Sequence, residues 1–203
     1  MSFRGEVMLS LLALLAGYLS GSLPVGYIVA KAKGVDIRHY GSGNIGTTNV
    51  WRNLGPFPGI ITLIGDMGKG FLALVLGTHV GGDTLGLLCG LAAIAGHSWP
   101  LFLRFKGGKI IATGLGVLIG FSYQTALLAV GVWLITVAIS RYISLGSILA
   151  AVSVPVWMFV LDLEPPYLIF GLAAAVFAVV KHRSNIQRIL NGTEFKVGKG
   201  KKI

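Results

Sequence analysis

Charged residues are scarce in this chain, and acidic residues are the scarcest. Asp and Glu together number 7 among 203 residues, and charged residues make up 12% of the sequence, against about 25% in an ordinary soluble domain. Hydrophobic residues make up 54%, and the mean hydropathy is +0.80. A soluble core of this size does not need so many apolar residues, so the composition predicts an integral membrane protein.

Several chemical signatures are also missing. Cys89 is the single cysteine, which excludes an intramolecular disulfide framework, and its apolar neighbours predict a buried thiol. The phosphate-loop pattern Gly-x4-Gly-Lys-Ser/Thr does not occur, which argues against a nucleoside triphosphatase. No cluster of His, Asp, Glu or Cys has metal-ligand spacing, so we expect no metal and no cofactor.

Long apolar segments are present instead, and a helix needs about 20 mainly apolar residues to cross a bilayer. We predict an all-α fold of seven transmembrane helices in one domain over residues 1–203, the last part of which, 181–203, is a basic cytoplasmic tail. The first segment lacks a small-x-small cleavage site, so we expect it to be a retained span. The count falls to five or six if the second or fourth segment re-enters the membrane. The predicted spans are 7–30, 58–80, 85–101, 110–121, 123–140, 145–161 and 167–180.

The positive charges alternate between the two sides of this topology. Apart from Arg4 and Lys69, they fall in alternate loops: Lys31, Lys33, Arg38, Arg52; Arg104, Lys106, Lys109; Arg141; and Lys181, Arg183, Arg188, Lys196, Lys199, Lys201, Lys202. The positive-inside rule then places the N-terminus outside and the C-terminus in the cytoplasm. The formal net charge of +10 is thus concentrated on one face. This suits anionic lipids and anionic substrates rather than nucleic acid, and residues 199–202 are expected to touch anionic lipid.

The most informative polar segment is 41–52, which combines three glycines, several hydroxyl and amide side chains, and Arg52. Glycines let the backbone turn tightly and bring N–H groups close to a ligand. Consecutive N–H groups form an anion site, and arginine adds a bidentate donor for phosphate. The alternative is a flexible connector, which would need neither a buried arginine nor tandem threonines. The segment therefore predicts a phosphate site beside the membrane.

Three further polar segments lie on the same predicted side. In residues 106–114, Gly107 and Gly108 precede a helix start, where N–H groups and the helix dipole favour an anion. Ser144 and Ser147 lie three residues apart, as do His182 and Asn185, so each pair shares a helix face. The alternative interpretations are a basic membrane-edge loop for residues 106–114, a helix cap for the segment with Ser144, and a basic stop-transfer flank for the segment with His182.

Charged residues also occur inside a predicted span. Asp66 and Lys69 are three residues apart, and such charges are costly unless they are paired or face a cavity. A structural ion pair and a role in shaping the site are both consistent with this spacing. His97, at the end of the third span, is by itself more typical of a structural histidine than of a catalytic one.

Taken in order, these segments resemble the acyl-phosphate:glycerol-3-phosphate acyltransferases of bacteria, the PlsY family. The resemblance implies seven membrane helices with an active site facing the cytoplasm, in the bacterial inner membrane. The matching motifs are Gly41-Ser42-Gly43-Asn44-x-Gly46-x-Thr48-Asn49-x-x-Arg52, Asp66-x-x-Lys69-Gly70, Gly96-His97-x-x-Pro100, Phe105-Lys106-Gly107-Gly108-Lys109-x-x-Ala112-Thr113, Arg141-Tyr142-x-Ser144-Leu145-x-Ser147, His182-Arg183-x-Asn185-Ile186-x-Arg188 and Leu190-Asn191-Gly192.

The resemblance implies transfer of an acyl group from a fatty acyl phosphate to the 1-hydroxyl of glycerol 3-phosphate. The products would be 1-acyl-glycerol 3-phosphate and phosphate, the first step of phospholipid synthesis. It implies catalytic roles for Arg52, Lys109 and His182. Binding of glycerol 3-phosphate is implied for Arg52, Lys109, Ser147, His182 and Asn185, and binding of the acyl phosphate for Ser42, Asn44, Thr48, Gly107 and Gly108.

The proton acceptor is left open between two groups. His182 is a base near neutral pH, whereas the resemblance favours the substrate's own phosphate, with His182 positioning it. One position departs from the family pattern, because Ile110 stands where glycine is usual, and a β-branched residue disfavours positive φ. A transporter of an organic phosphate and a non-catalytic lipid-binding scaffold are the alternative classes. The first would place polar groups along a path through the bilayer.

Overall fold

The computed structural model describes residues 3–198 and is all-α over that range. Residues 199–202, which were expected to touch lipid, lie outside the described residues. The chain divides into two compact units, of which unit 1 holds the described residues up to Phe121 and unit 2 those from Ser122 onward. The prediction of a single domain stays a prediction.

Unit 1 contains five helices. They are α1 (Phe3–Ser22), α2 (Val25–Lys31), α3 (Thr47–Leu54), α4 (Pro56–Ser98) and α5 (Ile111–Phe121), with 3-10 turns at Ile37–His39 and Leu101–Leu103. The first predicted span is thus interrupted, because Pro24 has no N–H to continue α1. The composition of residues 41–52 predicts a single polar segment. Its second half is in fact helix α3, which begins at Thr47.

Helix α4 holds both the second and the third predicted spans. Its backbone leaves helical geometry at Gly81 and Gly82, and Gly82 has a φ of 76°. Only glycine adopts this region without strain, so the glycine pair produces a kink between the two predicted segments. Helix α5 has 11 residues, as expected for a segment shorter than a full span.

Helices α1 and α4 pack closely in unit 1 because small residues line their contact. A Cβ atom on Gly21 would collide with the backbone of Ala93, and one on Gly96 would collide with the carbonyl oxygen of Tyr18. The tyrosine hydroxyl in turn donates a 2.9 Å hydrogen bond to the carbonyl of Trp99. This close approach fixes the end of α4, from which the 106–114 segment continues.

Unit 2 contains four helices, α6 (Tyr123–Ser140), α7 (Ile143–Val160), α8 (Pro165–Lys181) and α9 (Arg183–Leu190). In sequence order, each helix packs against the next. The segment after the seventh predicted span does not simply continue α8, because α9 is bent from it by 55° at His182. Residues 183–190 of the predicted basic tail therefore form a helix of their own.

Among the described residues, four helical segments are long and apolar enough to cross a membrane, or five if the bent pair α8–α9 is one span. Each of the seven predicted apolar segments is largely helical. Large apolar side chains such as Leu127, Ile139 and Phe159 are more than half exposed. This pattern is typical of helices whose outer faces contact lipid rather than water.

Candidate active site

The buried amide of Asn49 holds the 41–52 segment together. Its Nδ2 donates to the carbonyl oxygens of Ile37, Tyr40 and Asn44 at 3.3, 3.0 and 2.9 Å. Its Oδ1 accepts from the backbone N–H of Ser42 at 3.0 Å. One side chain, 2% exposed, thereby sets the path of the backbone through the predicted donor-binding residues.

Two glycines allow this path. Gly41 and Gly43 have φ values of 57° and 70°, which favour glycine. A Cβ atom on Gly41 would also collide with the Asn49 amide oxygen. Asn44 then accepts a 2.7 Å hydrogen bond from the N–H of Gly46, which turns the chain into α3. Because the side chains of Asn44 and Asn49 orient backbone groups here, the glycines and asparagines act as one structural element.

Arg52 lies in the last turn of α3 and is partly exposed, whereas the sequence-based interpretation treats it as buried. Arg38, in the same loop region of the sequence, is paired with a carboxylate. Arg38 donates through Nε and Nη2 to the Asp36 carboxylate at 2.9 and 2.7 Å. This side-chain pairing holds the pKa of Asp36 well below its usual range and raises the pKa of Arg38.

The 106–114 segment is fixed to the end of α4. The N–H of Gly108 donates to the carbonyl of His97 at 2.9 Å, and the N–H of Lys106 donates to that of Leu103 at 3.1 Å. A Cβ atom on Gly107 would collide with the His97 carbonyl, and one on Gly108 would collide with the His97 ring. Both positions therefore need glycine because of close approach to the histidine.

Ile110 adopts the conformation that its side chain disfavours. Its φ is 59° while its side chain is 3% exposed. A β-branched residue in the left-handed region is strained by about 1–3 kcal/mol. Burial of the side chain offsets this, since a fully buried Ile contributes about 1.5–3 kcal/mol. Ile110 thus combines a backbone conformation that favours glycine with a buried apolar side chain.

A buried apolar cluster brings the two glycine-rich segments of unit 1 together. Leu103, just before the second segment, packs with Ile45 and Val50 of the first, and with Ile37 and Ala30. Ala30, Ile37 and Val50 are fully buried. Residues of the first segment therefore share one buried cluster with a residue just before the second segment, which their separation in the sequence did not reveal.

Unit 2 contains a polar cluster centred on Glu194. Its Oε1 accepts from Ser144 Oγ at 2.8 Å and from Asn185 Nδ2 at 2.7 Å, and its Oε2 accepts from Arg188 Nε at 2.6 Å. Burial raises the pKa of Glu194, but these three donors outweigh it and lower the pKa below its ordinary value. The sequence-based predictions missed Glu194, although a lone acidic residue in a basic segment was a signal for it.

The other predicted residues of unit 2 are buried at the ends of its helices. Ser147 and His182 are 6% and 3% exposed. His182 lies at the bend between α8 and α9, and its Nδ1 is 2.8 Å from the Ala178 carbonyl. Because a carbonyl only accepts, a neutral ring in this contact carries its proton on Nδ1 and presents Nε2 as an acceptor. Among residues 3–198, no group of three or more His, Cys, Asp or Glu side chains could hold a metal ion.

These helices are apolar, expose large side chains and carry glycine-containing polar segments at their ends, as in an integral membrane protein. Comparison with known proteins makes this specific. The family model for glycerol-3-phosphate acyltransferase matches residues 11–192, and the chain belongs to this family. It is thus an acyltransferase of phospholipid synthesis, which confirms the resemblance found in its motifs.

Individual relatives agree. The glycerol-3-phosphate acyltransferase of Desulforamulus reducens is 54% identical over 95% of this chain and 97% of its own length. The glycerol-3-phosphate acyltransferase of Carboxydothermus hydrogenoformans is 47% identical over 93% of this chain and 96% of its own length. A crystal structure of PlsY (YgiH), an integral membrane glycerol 3-phosphate acyltransferase in its glycerol 3-phosphate form, superposes with a TM-score of 0.90 at 38% identity, covering 93% of this chain and 96% of that one.

Proposed function

We propose that this protein transfers the acyl group of a fatty acyl phosphate to the 1-hydroxyl of glycerol 3-phosphate. The products are 1-acyl-glycerol 3-phosphate and inorganic phosphate. The observation that carries the proposal is the buried cluster of unit 1, in which Leu103, just before the second glycine-rich segment, lies with Ile45 and Val50 of the first. Each segment also contains a cation that we assign to phosphate, Arg52 in the first and Lys109 in the second, and arginine and lysine are common ligands of phosphate groups.

We assign binding of the acyl phosphate, the acyl donor, to the backbone turns of the two glycine-rich segments. Ser42, Asn44 and Thr48 lie on the first segment, and Gly107 and Gly108 on the second. An acyl phosphate is already activated, so the attack needs orientation and charge stabilisation rather than a covalent enzyme intermediate. In the transfer, the acceptor hydroxyl oxygen bonds to the acyl carbon, the bond from that carbon to the phosphate oxygen breaks, and phosphate leaves with its electron pair.

We assign binding of glycerol 3-phosphate, the acyl acceptor, to cations and to buried polar groups. Arg52 offers a planar fork for the phosphate of glycerol 3-phosphate, and Lys109 a mobile point charge. In unit 2, we assign Ser147, His182 and Asn185 to binding of glycerol 3-phosphate, supported by their burial at helix ends. We assign the hydroxyl proton to the substrate's own phosphate, with His182 positioning the acceptor through a ring whose Nδ1 is engaged by Ala178.

The membrane arrangement is part of the proposal. We propose seven crossings in a single domain in the bacterial inner membrane, with the N-terminus outside and the active site facing the cytoplasm. The alternation of Lys and Arg along the sequence supports this orientation. Fusions of alkaline phosphatase and of green fluorescent protein to the C-terminus test it. The expected result is a fluorescent fusion with inactive phosphatase, and the reverse pattern would contradict the orientation.

Activity is tested with purified protein, palmitoyl phosphate and glycerol 3-phosphate. Release of phosphate together with lysophosphatidate, identified by mass spectrometry, is the expected outcome. Product formation no greater than in a heat-killed control would overturn the proposal. Arg52→Ala and Lys109→Ala should each reduce kcat/KM by roughly 100-fold or more, since each removes a charge-assisted contact to phosphate.

Matched controls separate binding from general charge effects. Arg38→Ala removes an arginine of unit 1 that is already paired with Asp36, and Lys106→Ala removes an exposed lysine of the second segment. Both should keep kcat/KM within about threefold of the original protein, as expected for exposed charges. Equal losses in the controls would show that net charge, rather than the assigned contacts, governs activity.

A further inference from the structure

Unit 1 holds a buried polar triad that the proposed chemistry does not use. Asp66, Lys69 and His97 are 2%, 6% and 4% exposed, and all three lie on helix α4. Charged groups in an apolar helix are costly and are retained where they are paired and serve a function. The contacts of the triad indicate what that function is.

The triad is connected internally through the Asp66 carboxylate. Lys69 Nζ lies 2.8 Å from Asp66 Oδ1, and His97 Nδ1 lies 3.6 Å from the same oxygen. One end of the connection lies in the part of α4 before the kink at Gly81 and Gly82, and the other end is the last turn of α4. The triad therefore joins two places on α4 that different loops contact.

The first contact leads to the 41–52 segment. Lys69 Nζ also donates to the carbonyl of Leu23 at 2.8 Å, at the break where Pro24 leaves α1 carbonyls without their usual donors. Helix α2 begins directly after this break and lies against the first segment, since a Cβ atom on Gly26 would collide with the carbonyl of Ile45. Lys69 thereby holds the helix that supports this segment.

The second contact leads to the 106–114 segment. His97 receives the Gly108 N–H on its carbonyl at 2.9 Å, and its ring occupies the space that a Gly108 side chain would need. The Nδ1 side of this ring faces Asp66 Oδ1 at 3.6 Å. A change at Asp66 or Lys69 would therefore reach the glycine pair through the histidine.

We propose that Asp66, Lys69 and His97 are positioning residues that set the places of both glycine-rich segments at once. The triad does not touch substrate, and it acts through the Leu23 carbonyl on one side and Gly108 on the other. The inference rests on the proposed function in one respect only, namely that these segments bind the two phosphates.

The first test measures the segments directly, without turnover. Hydrogen–deuterium exchange of the detergent-purified protein is followed by mass spectrometry in peptides covering 37–46 and 104–110. His97→Phe keeps a ring of similar volume but removes the polar contact to Asp66. Lys69→Met keeps the length of the side chain but removes its charge. We expect exchange to rise by about tenfold in 104–110 for His97→Phe and in 37–46 for Lys69→Met, because local opening becomes easier.

Cys89→Ala is the matched control. Cys89 is fully buried in the same helix, but it packs with Ala13 and Leu85, away from both segments. It should lower Tm without changing exchange in either peptide. Unchanged exchange in both His97→Phe and Lys69→Met would overturn the proposal. If His97→Phe does not fold, Lys69→Met tests the same network from its other end.

The second test uses kinetics. His97→Phe should raise KM for both substrates by about fivefold or more with a smaller change in kcat, since it misplaces binding groups rather than reacting atoms. His97→Asn, which can place an amide N–H near the position of Nδ1, should restore both KM values to within about twofold. A Tm loss with unchanged KM, or equal defects in His97→Phe and His97→Asn, would leave only a structural role. Absence of turnover in the original protein would overturn the proposed function instead, while the exchange experiment would still decide the positioning role.

Discussion

The Glu194 carboxylate accepts a hydrogen bond of 2.7 Å from the side-chain amide of Asn185. The same oxygen accepts from Ser144 on α7, and the other oxygen accepts from Arg188 on α9. One carboxylate therefore sets the amide orientation of a predicted substrate-binding residue and joins two helices of unit 2.

Glu194→Gln should weaken this cluster in a pH-dependent way. The folded-state pKa of Glu194 is lowered, so its stabilising contribution is complete above its ordinary pKa and is lost as the pH falls through the folded-state value. At pH 7, the substitution should cost about 1–3 kcal/mol through the lost charged hydrogen bonds. The measurement is Tm in detergent between pH 7 and pH 3. The difference between the two proteins should shrink toward acid, and a constant difference would contradict the prediction.

Asn49→Ala should disorder the first segment. The substitution removes one acceptor and three donor contacts to backbone groups, each worth about 1 kcal/mol. We expect kcat/KM to fall by roughly tenfold or more, because the turn at Ser42 loses its support. Steady-state kinetics with both substrates checks this. Asn53→Ala is the comparison, since within residues 3–198 the Asn53 amide donates to Asn49 alone, and its smaller effect is part of the prediction.

Gly108→Ala should abolish most of the activity, because the added Cβ atom would meet the His97 ring. Gly114→Ala is the matched control in the same segment. Its Cβ atom would lie 3.8 Å from Ile94 Cδ1, an ordinary contact, and alanine favours the helix by about 1 kcal/mol over glycine. Activity and Tm of the control should be unchanged or slightly higher. Similar kinetics for the two variants would show that the approach to His97 is unimportant.

At position 110, the glycine variant should be more stable than the alanine variant, which is the reverse of their usual order of stability. Ile110→Ala loses the buried side chain but keeps a strained positive φ, whereas Ile110→Gly loses the side chain and relieves the strain of about 1–3 kcal/mol. The glycine variant should therefore have the higher Tm of the two and lie close to the original protein. A lower Tm for glycine than for alanine would show that the φ of 59° carries no penalty. Kinetics of Ile110→Gly would show whether the isoleucine also alters the second segment.

Much of the helical framework was predictable because apolar run length is a local property. The boundaries at 123–140 coincide with α6, and the gap after residue 80 coincides with the kink at Gly81 and Gly82. Helix α3 was not predicted, since its polar sequence has too few apolar residues to signal a helix. The bend at His182 was not predicted either, because no proline or glycine marks it.

The sequence by itself determined the chemistry available to this protein: apolar segments for a membrane, cations in alternate loops, and glycines where a backbone must turn closely. Tertiary structure decided which of these groups meet. Leu103 joins the two glycine-rich segments, and Asp66 approaches His97. Glu194 collects Ser144, Asn185 and Arg188. Composition and residue spacing predict the structure within a single helix. The contacts above depend instead on how closely helices pack. Small residues, such as Gly21 against Ala93, set that distance.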